Sequence, residues 1–473
     1  MTDVAPSNLF DRTVRQARSA WQRIAGGEYD AEAASLRPDL PGDDADKIHK
    51  QMQECLDSRG GEVSARAKAA ALGRVYLALN EAGRRNFLQV LGHNFDVNHD
   101  TISTCAQELT LCHDDTARPE VEDRLRKLLE APRIKLLTQF NGLPEGVKFL
   151  VDLRADLLPL TKSDTVLAGL DKDLKELLNR WFDVGFLELR RITWDNASAA
   201  LLEKLIAYEA VHAINDWDDL KNRLDSDRRC FAFFHPRMPE EPLIFVEVAL
   251  VNGLAGNVQG LLDPDAPVQD PQSVDTAIFY SISNAQRGLS GISFGNFLIK
   301  RVVECLSLEF PGIKTYATLS PVPGFRAWLD RAIASGEKQL ISASERRALN
   351  VLGENGRGAK GALKNALNDP HWHENPETVA ALKSPLMGLC ARYLTLEKRH
   401  KTAALDPVAH FHLSNGARIE SLNWMGDRSE KGYVQSAGIM INYLYKMDHI
   451  EVNHEKYTSE GTVAISSSIR GLL

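Results

Sequence analysis

What most limits the fold of this chain is a change in hydrophobic period. Up to about residue 190 the apolar positions recur at helical spacing, and beyond it they gather into short β-like runs. Leu170, Leu174, Leu177, Leu178 and Trp181 follow i, i+4, i+7, i+8 and i+11, which is one stripe of a helix. Val121, Leu125, Leu128 and Leu129 repeat the pattern behind Glu120, Glu122 and Asp123, acids that favour a helix start. Val147, Leu150, Val151, Leu157 and Leu158 make a third stripe, which stops at Pro159. Pro119, Pro132, Gly142 with Pro144, and Gly169 separate these segments. No fixed period relates them, so a solenoid is not indicated. Residues 1–190 are expected to form a helical bundle.

From Cys230 the signal is that of strands. Cys230-Phe-Ala-Phe-Phe, Leu243-Ile-Phe-Val-Glu-Val-Ala-Leu and Thr276-Ala-Ile-Phe-Tyr-Ser-Ile-Ser are aromatic and β-branched runs bounded by Pro, Gly and Asn. Phe294, Leu298, Val302, Cys305 and Leu306 predict a helix, and Lys314 to Leu319 a further strand. Residues 326–400 read as helical, with polar, Gly-rich breaks around Gly353 to Gly361. Strand character returns at His410 to Leu413, Arg418 to Trp424 and Gly438 to Tyr445. The expected fold class is multidomain: an all-α N-terminal bundle, then an α/β (α+β) catalytic domain over 191–473 with a helical insert at about 326–400.

Composition removes several function classes. Hydrophobic residues are 44% and charged residues 25%, which suits a globular chain and argues against large-scale disorder. Lys plus Arg number 56 against 64 Asp plus Glu, a net charge of −8, with no long basic block to grip nucleic acid. The most apolar stretch, Pro242 to Leu254, is too short to cross a bilayer and carries Glu247 and Asn252, so a soluble protein without a membrane partner is expected. None of the six cysteines forms a C-x-x-C pair, so neither a zinc knuckle nor a dithiol motif is indicated. Cys105 and Cys112, seven apart, read as buried residues on one helix face. The N-terminus has neither the basic start nor the apolar run of a secretory signal, and Arg470-Gly-Leu-Leu is not a peroxisomal address. A cytoplasmic location is the expectation.

Three places hold residues suited to chemistry. The junction from Ser283 to Asn296 carries Gly288, Gly291 and Gly295 ahead of a helix, where backbone N–H groups and the helix end suit a pyrophosphate; the plainer alternative is a turn. It has neither G-x-G-x-x-G nor a Walker A lysine, which disfavours a nicotinamide cofactor or a cleaved nucleotide. In Leu319-Ser-Pro-Val-Pro-Gly-Phe, Pro321 and Pro323 stiffen the chain around Ser320, which is either a placed hydroxyl or an incidental one in a strand-ending turn. No G-x-S-x-G elbow is present, against a hydrolase nucleophile. On the expected strand, His410 and His412 share one face, with Phe411 on the other. Two metal ligands are one reading, but no third stands at a convincing spacing, and His371-Trp-His373 is a weaker pair. The other is one histidine as an acid/base group with its neighbour structural.

At these residues the sequence resembles the malonyl-CoA decarboxylase family. The likeness rests on Ala277-Ile-Phe-Tyr-Ser-Ile-Ser, Gln286-Arg-Gly-Leu-Ser-Gly, Phe297-Leu-Ile-Lys-Arg-Val-Val, Leu319-Ser-Pro-Val-Pro-Gly-Phe, Phe411-His-Leu-Ser-Asn-Gly-Ala and Asn423-Trp-Met-Gly-Asp, in that order. It runs from about Gly185 to Tyr445 and is weaker across the N-terminal helices. The resemblance implies a self-associating helical domain, giving a homo-oligomer (dimer or tetramer), before a catalytic domain with the acetyl-CoA-dependent N-acyltransferase fold. It implies a CoA phosphate cradle formed by Ser290, Gly291, Ile292, Ser293, Phe294, Gly295 and Asn296, although Leu289 stands where the acyltransferase pattern has a glycine. It also implies Ser320 and His412 as the catalytic pair, and leaves His410 without a role.

The implied reaction turns malonyl-CoA into acetyl-CoA and CO₂ through a thioester enolate. Such a site must stabilise the enolate oxygen, leave the carboxylate poorly solvated, and deliver one proton to carbon. Oriented donors contribute about 3–4 kcal/mol each and a positioned acid about 10²–10⁴-fold. No metal or other cofactor is required beyond the thioester substrate, and none has a motif here. His412 as proton donor with Ser320 bonded to the acyl group is one division of roles; the reverse is the other. Tyr443 and Tyr445 either line the pocket or pack in the core. The competing functions are acetyl-CoA-dependent N-acyl transfer on the same fold and a non-catalytic CoA sensor or scaffold.

Overall fold

The computed structural model describes residues 36–57, 61–292, 297–336, 340–349 and 358–473. The chain divides into two compact units. One runs to Glu188 and takes back two later pieces, Phe234–Leu243 and the stretch 285–292; the other holds the remainder.

The first unit is built from helices α1 (Gly42–Leu56), α2 (Gly61–Ala78), α3 (Glu81–Asn94), α4 (His99–Leu111), α5 (Arg118–Leu128), α6 (Pro132–Asn141), α7 (Gly146–Leu157) and α8 (Thr165–Trp181). Helix α8 starts where the Asp164 carboxylate accepts the N–H groups of Val166 (2.9 Å) and Leu167 (3.1 Å). Its face then buries Leu170, Leu174, Leu177 and Leu178 of the stripe expected from spacing, together with Leu167, while Trp181 at the end of that stripe is half-buried. Helix α7 is enclosed on nearly every side, burying Val147, Phe149, Leu150, Val151, Leu153 and Leu157.

Two expectations in this unit fail. Helix α5 buries only Val121, and Leu129, just past its end, is exposed, so that stripe is not a core face. Cys105 is buried in α4, whereas Cys112 lies beyond the helix in extended backbone and is half-buried. The helix stops one residue short of the seven-residue repeat that would have aligned the two thiols.

The second unit is centred on an eight-stranded sheet of order β1-β2-β3-β4-β5-β10-β6, with β9 also on β10. Its strands are β1 (Glu188–Ile192), β2 (Arg228–Phe234), β3 (Ile244–Val251), β4 (Thr276–Asn284), β5 (Thr315–Thr318), β6 (Ser320–Pro321), β9 (Arg418–Asn423) and β10 (Met440–Leu444); β7 (Lys398–Arg399) and β8 (Ala403–Ala404) form a separate ribbon. Strands β2, β3 and β4 run antiparallel, and β4 and β5 are parallel. Parallel neighbours need a crossover, and helix α10 (Phe297–Glu309) lies between them in the chain. Helix α9 (Ala199–Tyr208) precedes β2; α11 (Phe325–Ala334), α12 (Pro376–Thr395), α13 (Pro407–Ser414) and α14 (Ile450–Glu460) follow β6. Two further helices, Ala343–Leu349 and Gly358–Asn368, stand between α11 and α12. Ile278, Tyr280, Ala317, Leu319 and Met440 share one apolar cluster on the sheet.

Candidate active site

The sheet comes apart where its central strands should continue side by side. The β4·β5 register runs from Thr276↔Thr315 to Phe279↔Thr318 and ends there. Beyond it β4 stays with β3 to Asn284, while the other chain turns onto β10, pairing Ser320 with Ile441 and Pro321 with Met440. Pro321 has no N–H to offer a neighbouring strand, which suits this edge position. A bulge reinforces the parting, because Glu247 faces Ser281 and Val248 faces Phe279, leaving Tyr280 as the extra residue of β4. In the opening lies a cavity of about 270 Å³, with walls of Phe279, Tyr280, Ile282 and Asn284 from β4, Ser320 and Pro321 from β6, and Val408, Phe411 and His412 from α13. It is mostly apolar and near the small end of ligand pockets, a size for an acyl group rather than a nucleotide.

Ser320 and His412, 92 residues apart in the chain, meet at this cavity, with Oγ and Nε2 separated by 3.1 Å. The other ring nitrogen, Nδ1, lies 2.8 Å from the Tyr445 hydroxyl. Burial holds the Tyr445 phenol well above its ordinary pKa, so it keeps its proton, and that proton is assigned to the bond with Nδ1 because Ser320 Oγ, already donating to Thr318, is left to accept from Nε2. Burial also lowers the His412 pKa from 6.5 to about 3, so the ring is neutral and carries its single proton on Nε2, facing Ser320. The Ser320 hydroxyl in turn donates to Thr318 Oγ1 at 2.9 Å. The result is one directed chain of hydrogen bonds: Tyr445 to His412 to Ser320 to Thr318.

Neighbouring groups fix both ends. Thr318 Oγ1 also accepts the Tyr443 N–H (3.2 Å), and the Thr318 carbonyl accepts Asn442 Nδ2 (2.8 Å). Asn442, fully buried, accepts Ser421 and Asn423 through its own carbonyl, both at 2.7 Å. The Tyr443 ring stacks on His412 with centroids 4.4 Å apart. Both tyrosines therefore act on the imidazole rather than lining the cavity.

The segment around His412 is a helix, not the strand expected from its apolar character. Asp406 begins α13 by accepting the N–H groups of Val408 (2.9 Å) and Ala409 (3.0 Å), and Pro407 occupies the first turn. Residues two apart on a helix diverge by about 200°, so His410 and His412 do not share a face. His410 instead bonds the Tyr457 hydroxyl at 2.8 Å. The second oxygen of Asp406 accepts the Gly324 N–H (3.3 Å) and the Tyr393 hydroxyl (3.2 Å). One buried carboxylate thus joins the start of α13 to the chain four residues after Ser320. Burial raises its pKa, and its hydrogen bonds oppose the rise. Among the described residues no group of three or more His, Cys, Asp or Glu side chains is arranged to hold a metal ion.

The glycine-bearing stretch after β4 belongs to the helical unit. Gln286 donates to the Pro242 carbonyl at 2.9 Å. Gly288 packs on α7 so closely that a Cβ there would overlap the Val151 carbonyl oxygen. Its glycine is required by this approach, not by freedom to cradle an anion. Arg154 of α7, fully buried and paired with Asp171 (2.7 Å), donates to the carbonyls of Gly288 (2.6 Å) and Ser290 (2.9 Å). Across a trans peptide the next N–H points opposite to the carbonyl, so the Gly291 N–H is turned away from Arg154. Gly291 has φ +73°, and a side chain there would meet the Lys175 ammonium at 3.2 Å. Of the expected cradle, Ser290, Gly291 and Ile292 are thus located, while Ser293, Phe294, Gly295 and Asn296 lie outside the described residues. Lys175 and Arg154 carried no local motif; only their place in the α7 and α8 patterns would have brought them near this loop.

Comparison with known proteins places these features in a family. Residues 95–182 match the malonyl-CoA decarboxylase N-terminal domain, and residues 185–473 match the malonyl-CoA decarboxylase C-terminal domain. The mitochondrial malonyl-CoA decarboxylase of Anser anser anser is 38% identical over 421 residues, covering 85% of this chain and 82% of that protein. The mouse enzyme is 37% identical over 415 residues, covering 84% and 83%. The crystal structure of malonyl-CoA decarboxylase from Rhodopseudomonas palustris superposes with a TM-score of 0.82 at 41% identity, covering 90% of this chain and 99% of that one. That from Agrobacterium vitis gives 0.80 at 39%, with the same coverage. With both domain descriptions matched in order along most of its length, this chain belongs to the malonyl-CoA decarboxylase family.

Proposed function

We propose that this protein decarboxylates malonyl-CoA to acetyl-CoA and CO₂, with Ser320 and His412 as its catalytic pair. The observation that carries the proposal is the contact of these two side chains at a small apolar cavity in the parted sheet. A neutral imidazole brings no cation to the malonyl carboxylate, and the apolar walls solvate it poorly, so its ground state is not favoured. Loss of CO₂ leaves its bonding electron pair on the enolate. Because Ser320 Oγ occupies Nε2, the proton path to carbon runs through Ser320. The Ser320 hydroxyl turns from Thr318 to give its proton to the carbanion carbon, Nε2–H restores the hydroxyl, and a solvent proton passed through the Tyr445 hydroxyl restores the ring at Nδ1 without leaving a tyrosinate. Of the two divisions of roles set out from sequence, this is the one with Ser320 as the final donor.

Purified protein given malonyl-CoA alone should release acetyl-CoA and CO₂. Product that appears only after an amine is added would instead support acyl transfer, for which the family and its relatives give no support. Binding without turnover would support a sensor.

The protonation states give a pH prediction. His412 is neutral above about pH 3 in the folded protein, so kcat/KM should show no limb due to this imidazole between pH 5 and 8. An activity falling as pH rises through 6.5, and losing that fall in His412→Asn, would mean a cationic acid and would overturn the relay. Stability carries the matching sign. The unfolded imidazole binds a proton below 6.5 and the folded one does not until about 3, so stability is lost as pH falls through that window, by up to about 1.4 kcal/mol per pH unit.

The finer parts of the reading have their own supports. The stretch Ser290 to Asn296 is proposed as the CoA phosphate cradle, supported by the outward Gly291 N–H and the nearby Lys175. An acyltransferase-like architecture is supported by a parallel pair of strands that parts beside the cavity. Residues 1–190 are proposed as the helical, self-associating domain and 191–473 as the catalytic one, with the helices between about 326 and 400 as its insert. A homo-oligomer formed through the helical domain is proposed with it, supported by membership of the family. Among the described residues no helix is long and apolar enough to cross a membrane. Six free thiols suit a reducing compartment, here proposed to be the cytoplasm. The relay uses side chains, the thioester and a replacement proton from solvent.

A further inference from the structure

We propose that Val211, held in place by a strap of charged side chains, sets the width of the acyl cavity and makes the enzyme discriminate against malonyl thioesters branched at the carbon between carboxylate and thioester. The inference rests on the decarboxylase reading and names the substrate range of the same site.

Val211 lies on the cavity wall, in the irregular segment that follows α9. A loop at such a place would normally give way to a larger substrate. This one is tied along its whole backbone. The Glu209 carboxylate accepts the N–H groups of Val211 and His212, both at 2.8 Å. The same carboxylate is anchored to β4 by the hydroxyls of Ser281 (2.8 Å) and Ser283 (3.0 Å), and Ser283 Oγ also accepts the Ala210 N–H at 3.2 Å. On the carbonyl side, Lys431 donates to Ala210 (2.8 Å) and Val211 (2.9 Å), while Arg223 donates to His212 (2.9 Å) and Ala213 (3.0 Å). Arg223 is itself buried and held by Asp219 (2.8 Å) and Glu247 (3.2 Å).

Apart from the neutral Ala210–Ser283 bond, these are charge-assisted bonds, about twice as strong as neutral ones. Both polar backbone groups of Val211 are committed to them. Its side chain is β-branched and stiff at χ1, so it cannot swing aside while the backbone stays fixed. The wall contributed by Pro321 and α13 is no softer, since Pro321 has a fixed φ and Asp406 pins the helix start. With both walls fixed, a methyl branch on the acyl group has to be met by the Val211 side chain as it stands, because neither wall can retreat to make room for it.

The test is the ratio of kcat/KM for 2-methylmalonyl-CoA to that for malonyl-CoA. A methylene-sized change in an apolar pocket is worth about 10–200-fold. Val211→Ala should therefore raise the ratio about ten-fold or more, and Val211→Ile should lower it. Lys431→Met, which frees two carbonyls without touching the cavity wall, should raise it several-fold. Val211→Ile and Lys431→Met add or remove no buried core volume of note, so the measurement survives if Val211→Ala folds poorly. Ratios within about two-fold of the parent in the folded variants would overturn the inference while the parent still turned over malonyl-CoA. A parent inactive on malonyl-CoA would defeat the decarboxylase reading, and this inference with it.

Discussion

Ser320→Ala is expected to lower kcat by about 10²–10⁴-fold, the range a positioned proton donor contributes. The loss should appear in kcat with the protein still folded, because the change removes one hydroxyl from a buried chain of four groups. His412→Phe should cost a similar factor. A phenyl ring keeps the stacking on Tyr443 and removes both nitrogens, so packing and proton transfer are separated by one substitution. Groups that act as one unit are not additive. The double variant Ser320→Ala with His412→Phe should accordingly be no slower than the worse single one. Steady-state kinetics with malonyl-CoA and a circular dichroism check on folding suffice. Activity of Ser320→Ala within about ten-fold of the parent would take the hydroxyl out of the mechanism.

Asp406→Ala should be the most damaging change away from the dyad itself, costing at least about 2.5 kcal/mol in urea unfolding. Losing the helix cap costs about 0.5–2 kcal/mol. The Tyr393 hydroxyl and the Gly324 N–H then lose their acceptor in a buried site, at about 1–3 kcal/mol for each such group. Activity should fall as well, because α13 carries His412 and its first turn would no longer be fixed. Asp406→Asn is the informative partner. Its amide oxygen still caps the helix, while the NH₂ group now faces the Gly324 N–H, two donors meeting. A variant that keeps its stability but loses activity would show that the tie to Gly324 positions the dyad. An Asp406→Ala protein as stable as the parent would remove that role.

The strands that build the site were legible because their patterns are local. The runs at 230–234, 243–250 and 276–283 became β2, β3 and β4 within a residue or two. The segment at 410–413 misled for a physical reason. Four apolar or aromatic-like residues fit either a buried strand or a buried helix, and length cannot separate them. The deciding signal was upstream, in Asp406 followed by Pro407, a cap and first-turn pair that speaks for a helix. Ser320 and the His410–His412 pair stood as candidates on residue pattern, each with a plainer alternative, and only the resemblance to a family joined Ser320 to His412 as a pair. Thr318 and Asn442 were out of reach altogether. Each gains its role from strands that pair across more than a hundred residues.

Arg154 shows what the path of the chain implies for dissecting this protein. The stretch after β4 leaves the sheet, is gripped from α7 through two carbonyls, and then returns to the other unit. A gene cut near residue 190 would therefore not yield two independent modules. The C-terminal fragment would keep Gly288 and Ser290 but forfeit the guanidinium that holds their carbonyls, and the N-terminal fragment would keep the Arg154–Asp171 pair but lose both carbonyl acceptors of Arg154. Truncations of this protein are best designed around that thread rather than at the change in hydrophobic period.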